Sequence, residues 1–518
     1  MRLFEKILTA GLALVCVLNF LPPAWQPDWL NFTLVNMLAL ALVVHLAIEH
    51  SRWQMGPIYF LALFALLVMV GRQTNPGPWY SAGAGAIGLG LLALFSVLPV
   101  LLPVPNTPQP SGPYSVGTVT FDWTDPARPE IYSSVPGARR RIMVQAWYPA
   151  EPRGVLGDPA ETRGAPSNSA ETRGTPGDSG NSGGALRNPA RGKAAGQPLP
   201  YLDHPERTLK AWARLPAFAF RHILLGSTHS YANAPLARSP QALPVLLFSH
   251  GWIGYRSQNN FQVEELASRG YVVFSADHTY GASATTFSDG SVVYLKPEAL
   301  PAKVSDEEYD RAARRLGQSW VGDLRFVLDQ AQRIQSGEIE APFNGRLDLE
   351  RVGVLGHSTG GGAAVEACWL DERFKAGLAM DAWLIPYDRQ VPQQGLRQPF
   401  LFMQSENWDD PLAQDAGVSP RNPPLAAALF EHMRGWAYRL TIAGAKHPDF
   451  SELPLLTPLL TLTGLHGRID PRVQMKIVDD YTLAFFDCFL RSEPAPLLDA
   501  AAPPFPQVMC DRQPAREN

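Results

Sequence analysis

Residues 356–360, Gly-His-Ser-Thr-Gly, constrain the fold of this 518-residue chain more than any other stretch. They fit G-x-S-x-G, a strand-to-helix turn so sharp that the serine oxygen is lifted above the edge of a sheet. Residues 351–355, Arg-Val-Gly-Val-Leu, read as a short buried strand before it. Residues 361–370 open with small side chains, continue with Ala, Val and Leu, and read as a helix after it. The bare pattern is common; strand before and helix after is the context it needs. The glycines leave room for a strained backbone and for close strand–helix packing. The competing reading is an ordinary strand–turn–helix with an idle serine, and only partners for Ser358 separate the two.

The sequence around the turn alternates between strand and helix patterns. Continuous apolar runs at 243–249, 271–276, 376–380, 399–404 and 436–442 read as strands. Residues 261–268 and 305–335 read as helices between them. Apolar strands alternating with helices indicate a parallel sheet covered on both faces, with functional groups on loops at the carboxyl ends of the strands. Ahead of these, 116–121 and 141–148 alternate in polarity and read as opening antiparallel strands. Residues 151–198 are different: rich in Gly, Pro, Ser, Asn and Arg, with a near-repeat (159–164 against 169–174) and almost no large apolar side chains. Such a segment buries too little area to offset its ordering and is expected to be a disordered insertion. Residues 209–225 carry Leu209, Trp212, Leu215, Phe218 and Phe220, suited to a core helix or to a cap over a lipid-facing pocket.

The first hundred residues hold four apolar segments, 7–22, 30–48, 55–70 and 82–104. A membrane span needs roughly 20 apolar residues, with about 17 tolerated, so the second and fourth qualify outright and the other two are short. Trp25, Trp29, Trp53, Trp79 and Tyr80 fall at segment ends, where interfacial aromatics belong. Gly83, Gly85, Gly88 and Gly90 give the fourth segment a small face for close helix contact. Four helices spanning a membrane are the expectation. Arg2 and Lys6 precede the first segment, the first loop lacks Lys and Arg, and Arg52 and Arg72 follow in the next two. The positive-inside rule then puts the N-terminus in the cytoplasm, and four spans return the remainder to that side. The rest divides into a proline-rich linker at 105–115, a catalytic domain at 116–495 and a tail at 496–518.

The formal charge of −4 and the absence of a basic run exclude a nucleic-acid partner. Four cysteines, Cys16, Cys368, Cys488 and Cys510, form no C-x-x-C pair, so no thiolate metal site is expected. A bridge between Cys488 and Cys510 stays open on spacing alone.

A serine hydroxyl needs a base to take its proton, an acid to orient that base, and donors for a developing oxyanion. In this fold the order is Ser, then acid, then His. Of the histidines after Ser358, His432 falls within a predicted helix and His466 lies beside Gly464 and Gly467. His447 follows the last apolar strand across a four-residue loop and is the favoured base. Asp381 directly ends the strand after the turn, among Met380, Ala382 and Trp383, where a carboxylate is costly unless it meets a donor or a cation. Glu406, Asp409 and Asp410, one strand later, are the rival acids. Residues 248–252, Phe-Ser-His-Gly-Trp, close an early strand, so the backbone N–H groups of Trp252 and Thr359 are the expected oxyanion donors. His250 is expected to shape that loop, and Asp277-His278 to be structural or to sit at a pocket rim.

These stretches together resemble the platelet-activating factor acetylhydrolase family of the plasma and isoform-II type, over roughly 113–150 and 200–490. Residues 248–251 resemble its oxyanion strand, 356–361 its elbow, 380–383 its acid segment and 443–450 its histidine loop; 231–236 is similar too. The resemblance implies an α/β-hydrolase fold and a calcium-independent serine esterase without cofactor or metal, acting on short or oxidised acyl groups of phospholipids. Thr359 stands where an aromatic residue is usual in that family. The four membrane segments and the insertion lie outside its pattern. A carboxylesterase or acyltransferase on other small acyl esters and an inactive membrane scaffold are the alternatives.

Overall fold

The computed structural model describes residues 1–18, 20, 28–74, 82–151, 198–202, 204–208, 217–239, 241–408, 419–458, 461 and 464–516. The expected insertion falls almost wholly on 152–197, outside the described residues. The chain divides into two compact units. One comprises Met1–Asn106, Phe218–Gly226 and Leu453–Thr463; the other comprises Thr107–Ala217, Ser227–Glu452 and Gly464–Asn518.

The first unit is built on helices α1 (Leu3–Leu18), α2 (Asp28–Ile48), α3 (Gly56–Thr74) and α4 (Ala82–Leu101). Glu5, His45, Glu49 and Arg52 gather at one end of the bundle. Arg52, just before α3, donates to both oxygens of the buried Glu5 (2.7 and 2.8 Å) and to the Pro99 carbonyl near the end of α4 (3.2 Å). His45, near the end of α2, bonds Glu49 (3.0 Å) and Tyr59 (2.7 Å). Starts of α1 and α3 therefore meet ends of α2 and α4. The small face of α4 is used at Gly88, where a side-chain carbon would fall 2.6 Å from Cys16 Sγ on α1.

Three helical stretches, Trp29–Ile48, Trp53–Gly71 and Gly83–Leu101, are long and apolar enough to cross a membrane. Among the described residues three spans are thus supported rather than the four expected; α1 has 16 residues and carries Glu5 and Lys6. The parity argument for the side of the catalytic domain goes with it. The two later visits to this unit were not foreseen. Ala217–Leu225 is a 3₁₀ helix rather than an α-helix, and 209–216 lie outside the described residues. Thr457, in the other visit, donates its hydroxyl to the Leu101 carbonyl (2.6 Å).

The second unit is organised by one sheet. Its strands are β1 (Ser115–Pro129), β2 (Arg139–Ala150), β3 (Pro198–Pro200), β4 (Ser227–Ala232), β5 (Leu243–Ser249), β6 (Val272–Asp277), β9 (Leu347–His357), β10 (Phe374–Met380), β11 (Phe400–Ser405), β12 (Ala437–Ile442) and β13 (Val508–Gln513). A separate hairpin holds β7 (Ala284–Thr286) and β8 (Val292–Tyr294). The spatial order is β13-β12-β11-β10-β9-β5-β6-β2-β1-β4-β3. From β6 to β12 every neighbouring pair is parallel; β2 lies antiparallel to β6 and β1. β5 and β6 are buried along their whole length, as strands covered on both faces must be.

Four of the helices lie in two pairs. Those used below are α5 (Asn260–Ser268), α6 (Asp306–Gln335), α7 (Thr359–Leu370), α8 (Asn422–His432) and α9 (Pro471–Arg491). α6 packs on α7, which lies over β9 and β10; α9 lies over the same strands and packs on α5. α6 starts where the Ser305 hydroxyl accepts the Glu308 N–H, with three acidic residues in its first turn. α9 starts where Asp470 accepts from the N–H groups of Arg472 and Val473, with Pro471 as its first residue. The expected C-terminal tail instead re-enters the sheet. Its last strand, β13, pairs antiparallel with β12, Val508 opposite Ile442 and Gln513 opposite Ala437. Cys488 and Cys510 are both free thiols.

Candidate active site

β9 ends at His357 and α7 begins at Thr359, so Ser358 alone makes the turn, with φ 57° and ψ −121°. That backbone is unfavourable for a residue with a side chain and persists only when its surroundings hold it. The Ser358 N–H donates to the Met380 carbonyl (2.9 Å), and its own carbonyl accepts from Gly362 (3.1 Å) and Trp383 (2.9 Å). A side chain on Gly360 would run into the carbonyls of Ser249 and His250, and one on Gly356 into the Gly360 carbonyl. The two glycines of the motif are thus required by contact with the neighbouring strand and helix.

Asp381 follows β10 with φ 45° and is fully buried. Its N–H donates to the Met403 carbonyl (2.8 Å) on the adjacent strand. Oδ1 accepts from the Ser405 N–H (2.7 Å); Oδ2 accepts from the Ser405 hydroxyl (2.8 Å) and from His447 Nδ1 (3.1 Å). The apolar surroundings noted in the sequence are real, and these three donors compensate the buried charge. The bond from Nδ1 fixes the proton on that nitrogen and leaves Nε2 of His447 as the basic one.

His447 opens a short 3₁₀ turn, His447–Phe450, after β12. Its ring lies 4.5 Å, centre to centre, from that of His357, the residue before the serine. Trp408 stacks on it at 4.9 Å with 6° between the planes. Asp449 holds the turn by accepting from the N–H groups of Lys446 (2.7 Å) and Gly467 (2.8 Å), with His466 Nδ1 3.3 Å away. Burial pushes the Asp449 carboxyl up from its ordinary value. His466 is therefore a buttress of the histidine loop. His432, expected within a helix, is the half-buried last residue of α8 and donates to the carbonyls of Ala428 and Pro392. Of the rival acids, Glu406 accepts the Gly444 N–H (3.0 Å), while Asp409 and Asp410 lie outside the described residues.

The loop after β5 comes up against the turn. A side-chain carbon on Gly251 would fall 3.2 Å from Ser358 Cβ. Trp252 follows it, half-buried, and Thr359 is the first residue of α7, where N–H groups have no acceptor within the helix. Tyr387 donates its hydroxyl to the Thr359 carbonyl (2.6 Å). Beneath lies a second Ser–His–Asp arrangement. His278 bonds Ser249 Oγ (2.9 Å) and Asp323 (2.9 Å), and Asp323 also receives Arg140 and Arg128. Ser249, His278 and Asp323 are all fully buried, out of reach of any substrate. Burial lowers the His278 pKa from its ordinary value, and Asp323 lies far below the carboxylate range under the two guanidinium groups, despite its own burial. Asp277-His278 thus has structural bonds, and Asp277 also lines a small pocket with Tyr255 and Arg256: it accepts the Arg256 N–H (2.7 Å) and guanidinium (2.6 Å).

A family model for platelet-activating factor acetylhydrolase, isoform II, matches residues 207–493, more than half of the chain and all of the residues just described around Ser358. The chain belongs to this family. A platelet-activating factor acetylhydrolase of Cavia porcellus is 26% identical over 277 residues, covering 50% of this chain and 60% of that protein. A probable 1-alkyl-2-acetylglycerophosphocholine esterase of Arthroderma benhamiae is 23% identical over 418 residues, covering 78% of this chain and 92% of that one. The chain spans about three-fifths of the length of the Cavia porcellus and Canis lupus familiaris relatives it matches. The structure of a ferulic acid esterase from Streptomyces cinnamoneus superposes with a TM-score of 0.56, covering 79% of this chain and 99% of that chain at 24% identity. That likeness, with the strand order, is the α/β-hydrolase fold.

As a platelet-activating factor acetylhydrolase family member the chain keeps all four resembling stretches around one point. Ser405, Trp408, His357 and Tyr387 were missed by sequence reasoning. Ser405 carried a usable signal, since it ends the strand next to the one that Asp381 follows. Trp408 and Tyr387 carried none, because loop conformation alone brings them to the site.

Proposed function

We propose that the protein is a membrane-anchored serine esterase that hydrolyses short or oxidised acyl esters of phospholipids through an acyl-enzyme. The observation that carries this reading is the bond from His447 Nδ1 to Asp381, made beside the strained turn that presents Ser358. Nε2 of His447 takes the proton of Ser358 Oγ as that oxygen attacks the ester carbonyl. The negative charge forming on the carbonyl oxygen is met by the N–H groups of Trp252 and Thr359. His447 then hands the proton to the leaving lysolipid alcohol. Asp381 stabilises the imidazolium without taking the proton. Water, deprotonated by the same nitrogen, releases the fatty acid and restores the serine. The three apolar helices support anchoring at a lipid surface, which raises the local concentration of the substrate.

The test uses the full-length protein in detergent micelles with an acetyl phospholipid. Ser358→Ala should lose at least about 10³-fold in kcat and all labelling by a fluorophosphonate. Wild-type turnover in that variant refutes the assignment.

A further inference from the structure

Between the oxyanion loop and the histidine loop runs a chain of hydrogen bonds through two side chains with no part in proton transfer. Gln258 Oε1 accepts the Gly251 N–H (3.2 Å). This contact fixes the amide orientation, since only the oxygen accepts, and turns Nε2 toward His357 Nδ1, 3.0 Å away. Nδ1 of His357 is then an acceptor. The ring's one proton lies on Nε2, which donates to the His447 carbonyl (3.1 Å). Burial, with His447 beside it, holds the His357 imidazole well below the usual histidine range, as a neutral ring with one donor and one acceptor requires. Every bond in the series points the same way, from Gly251 through Gln258 and His357 to His447. Gln258 and His357 are each only 6% exposed, so water does not replace these bonds readily.

The other side of Gly251 is clamped as well. His250 Nδ1 donates to the Gly251 carbonyl (2.7 Å), and His250 Nε2 accepts the His278 N–H (3.1 Å). In a trans peptide the carbonyl and the following N–H point in opposite directions. Holding the Gly251 carbonyl on His250 therefore aims the Trp252 N–H away from His250.

We infer that Gln258 and His357 are positioning residues that lock the Gly251–Trp252 peptide and the His447 backbone into one frame about Ser358. This rests on the serine-esterase reading given above. The frame fixes the oxyanion donor and the base relative to each other before substrate arrives. An error of a few tenths of an ångström in either is felt in the chemical step and little in ground-state binding.

The test measures kcat and KM of the full-length enzyme on an acetyl phospholipid in micelles for Gln258→Met, His357→Phe, the double variant and His357→Gln. Each of the first two is expected to lower kcat roughly 10- to 100-fold with KM within about threefold. The double variant should be no slower than the slower single one, because both break one chain. His357→Gln, whose amide N–H reaches the place of Nε2–H, should recover most of the loss. Unchanged kcat in the singles, or losses that multiply in the double variant, overturns the inference. If His357→Phe does not fold, Gln258→Met and Gln258→Ala carry the test, and normal kcat in either overturns it. Ser358→Ala separates the two ideas. Activity in that variant defeats the serine reading; an inactive Ser358→Ala beside a fully active Gln258→Met defeats only the positioning frame.

Discussion

The imidazole of His447 lies flat on the indole of Trp408, with ring centres 4.9 Å apart and planes within 6°. In the proposed mechanism His447 spends part of each turnover as a cation, and an indole face attracts a cation more than it attracts the neutral ring. Trp408 is 4% exposed, so little water competes for that face. Trp408→Leu should lower kcat about 3- to 30-fold while leaving fluorophosphonate labelling of Ser358 detectable. Steady-state kinetics at saturating substrate checks it, and an unchanged kcat would remove the stack from the mechanism.

Asp381 holds His447 through one oxygen while Ser405 occupies both. Asp381→Asn keeps the shape but disturbs the preference for the Nδ1–H tautomer, and should cost on the order of 10³-fold or more in kcat. Ser405→Ala removes the hydroxyl donor and leaves the backbone one, and should cost only about 3- to 10-fold. The ordering of the two variants is the prediction; a Ser405→Ala as damaged as Asp381→Asn would contradict it.

Glu264 on α5 is fully buried, and burial raises its carboxyl to about 7 from 4.5 against bonds from the Ser230 hydroxyl and the His229 N–H. A carboxyl raised on folding binds its proton more tightly in the native state. Its stabilising share is complete below about 4.5 and is lost as pH climbs to about 7. Glu264→Gln has no such loss. The melting temperature of the variant relative to wild type should therefore rise by a few degrees between pH 5 and pH 8, for a linkage on the order of 2 kcal/mol. Thermal unfolding at the two pH values measures it, and a difference independent of pH would show that Glu264 does not change protonation on folding.

Phe218–Gly226 and Leu453–Thr463 belong to the compact unit of the N-terminal helices. Removing residues 1–106 takes away their packing partners and leaves apolar chain bare. The truncated protein should aggregate without detergent and run as a discrete species with it, as read by gel filtration. A monodisperse, detergent-free product would show that these two segments are satisfied without the helices.

Most of the second unit was legible because its strands are buried on both faces and read as unbroken apolar runs. The turn at Ser358 was legible because Gly356 and Gly360 are demanded by sterics. Asp381 showed itself by charge in apolar company, and His447 by its place after a strand. β13 was read as tail. Val-Met-Cys-Asp-Arg-Gln is an edge strand with one neighbour, so its sequence is under little pressure to be apolar, and Met509 is 64% exposed. The first helix was read as a span from its apolar middle, although Glu5 near its start is satisfied inside the protein by Arg52. Gln258 gave no hint at all: a glutamine in a loop acquires meaning only when folding sets its amide between the Gly251 N–H and the His357 ring.

The backbone enters the helical unit three times, at its start and twice from within the hydrolase. One protease nick in the proline-rich stretch after α4 would therefore leave 218–226 and 453–463, both parts of that unit, on the fragment that carries Ser358. Nor is the helical unit a contiguous cassette that could be traded whole between proteins. Any lineage that dropped it would have to rewrite 218–226 and 453–463 at the same time.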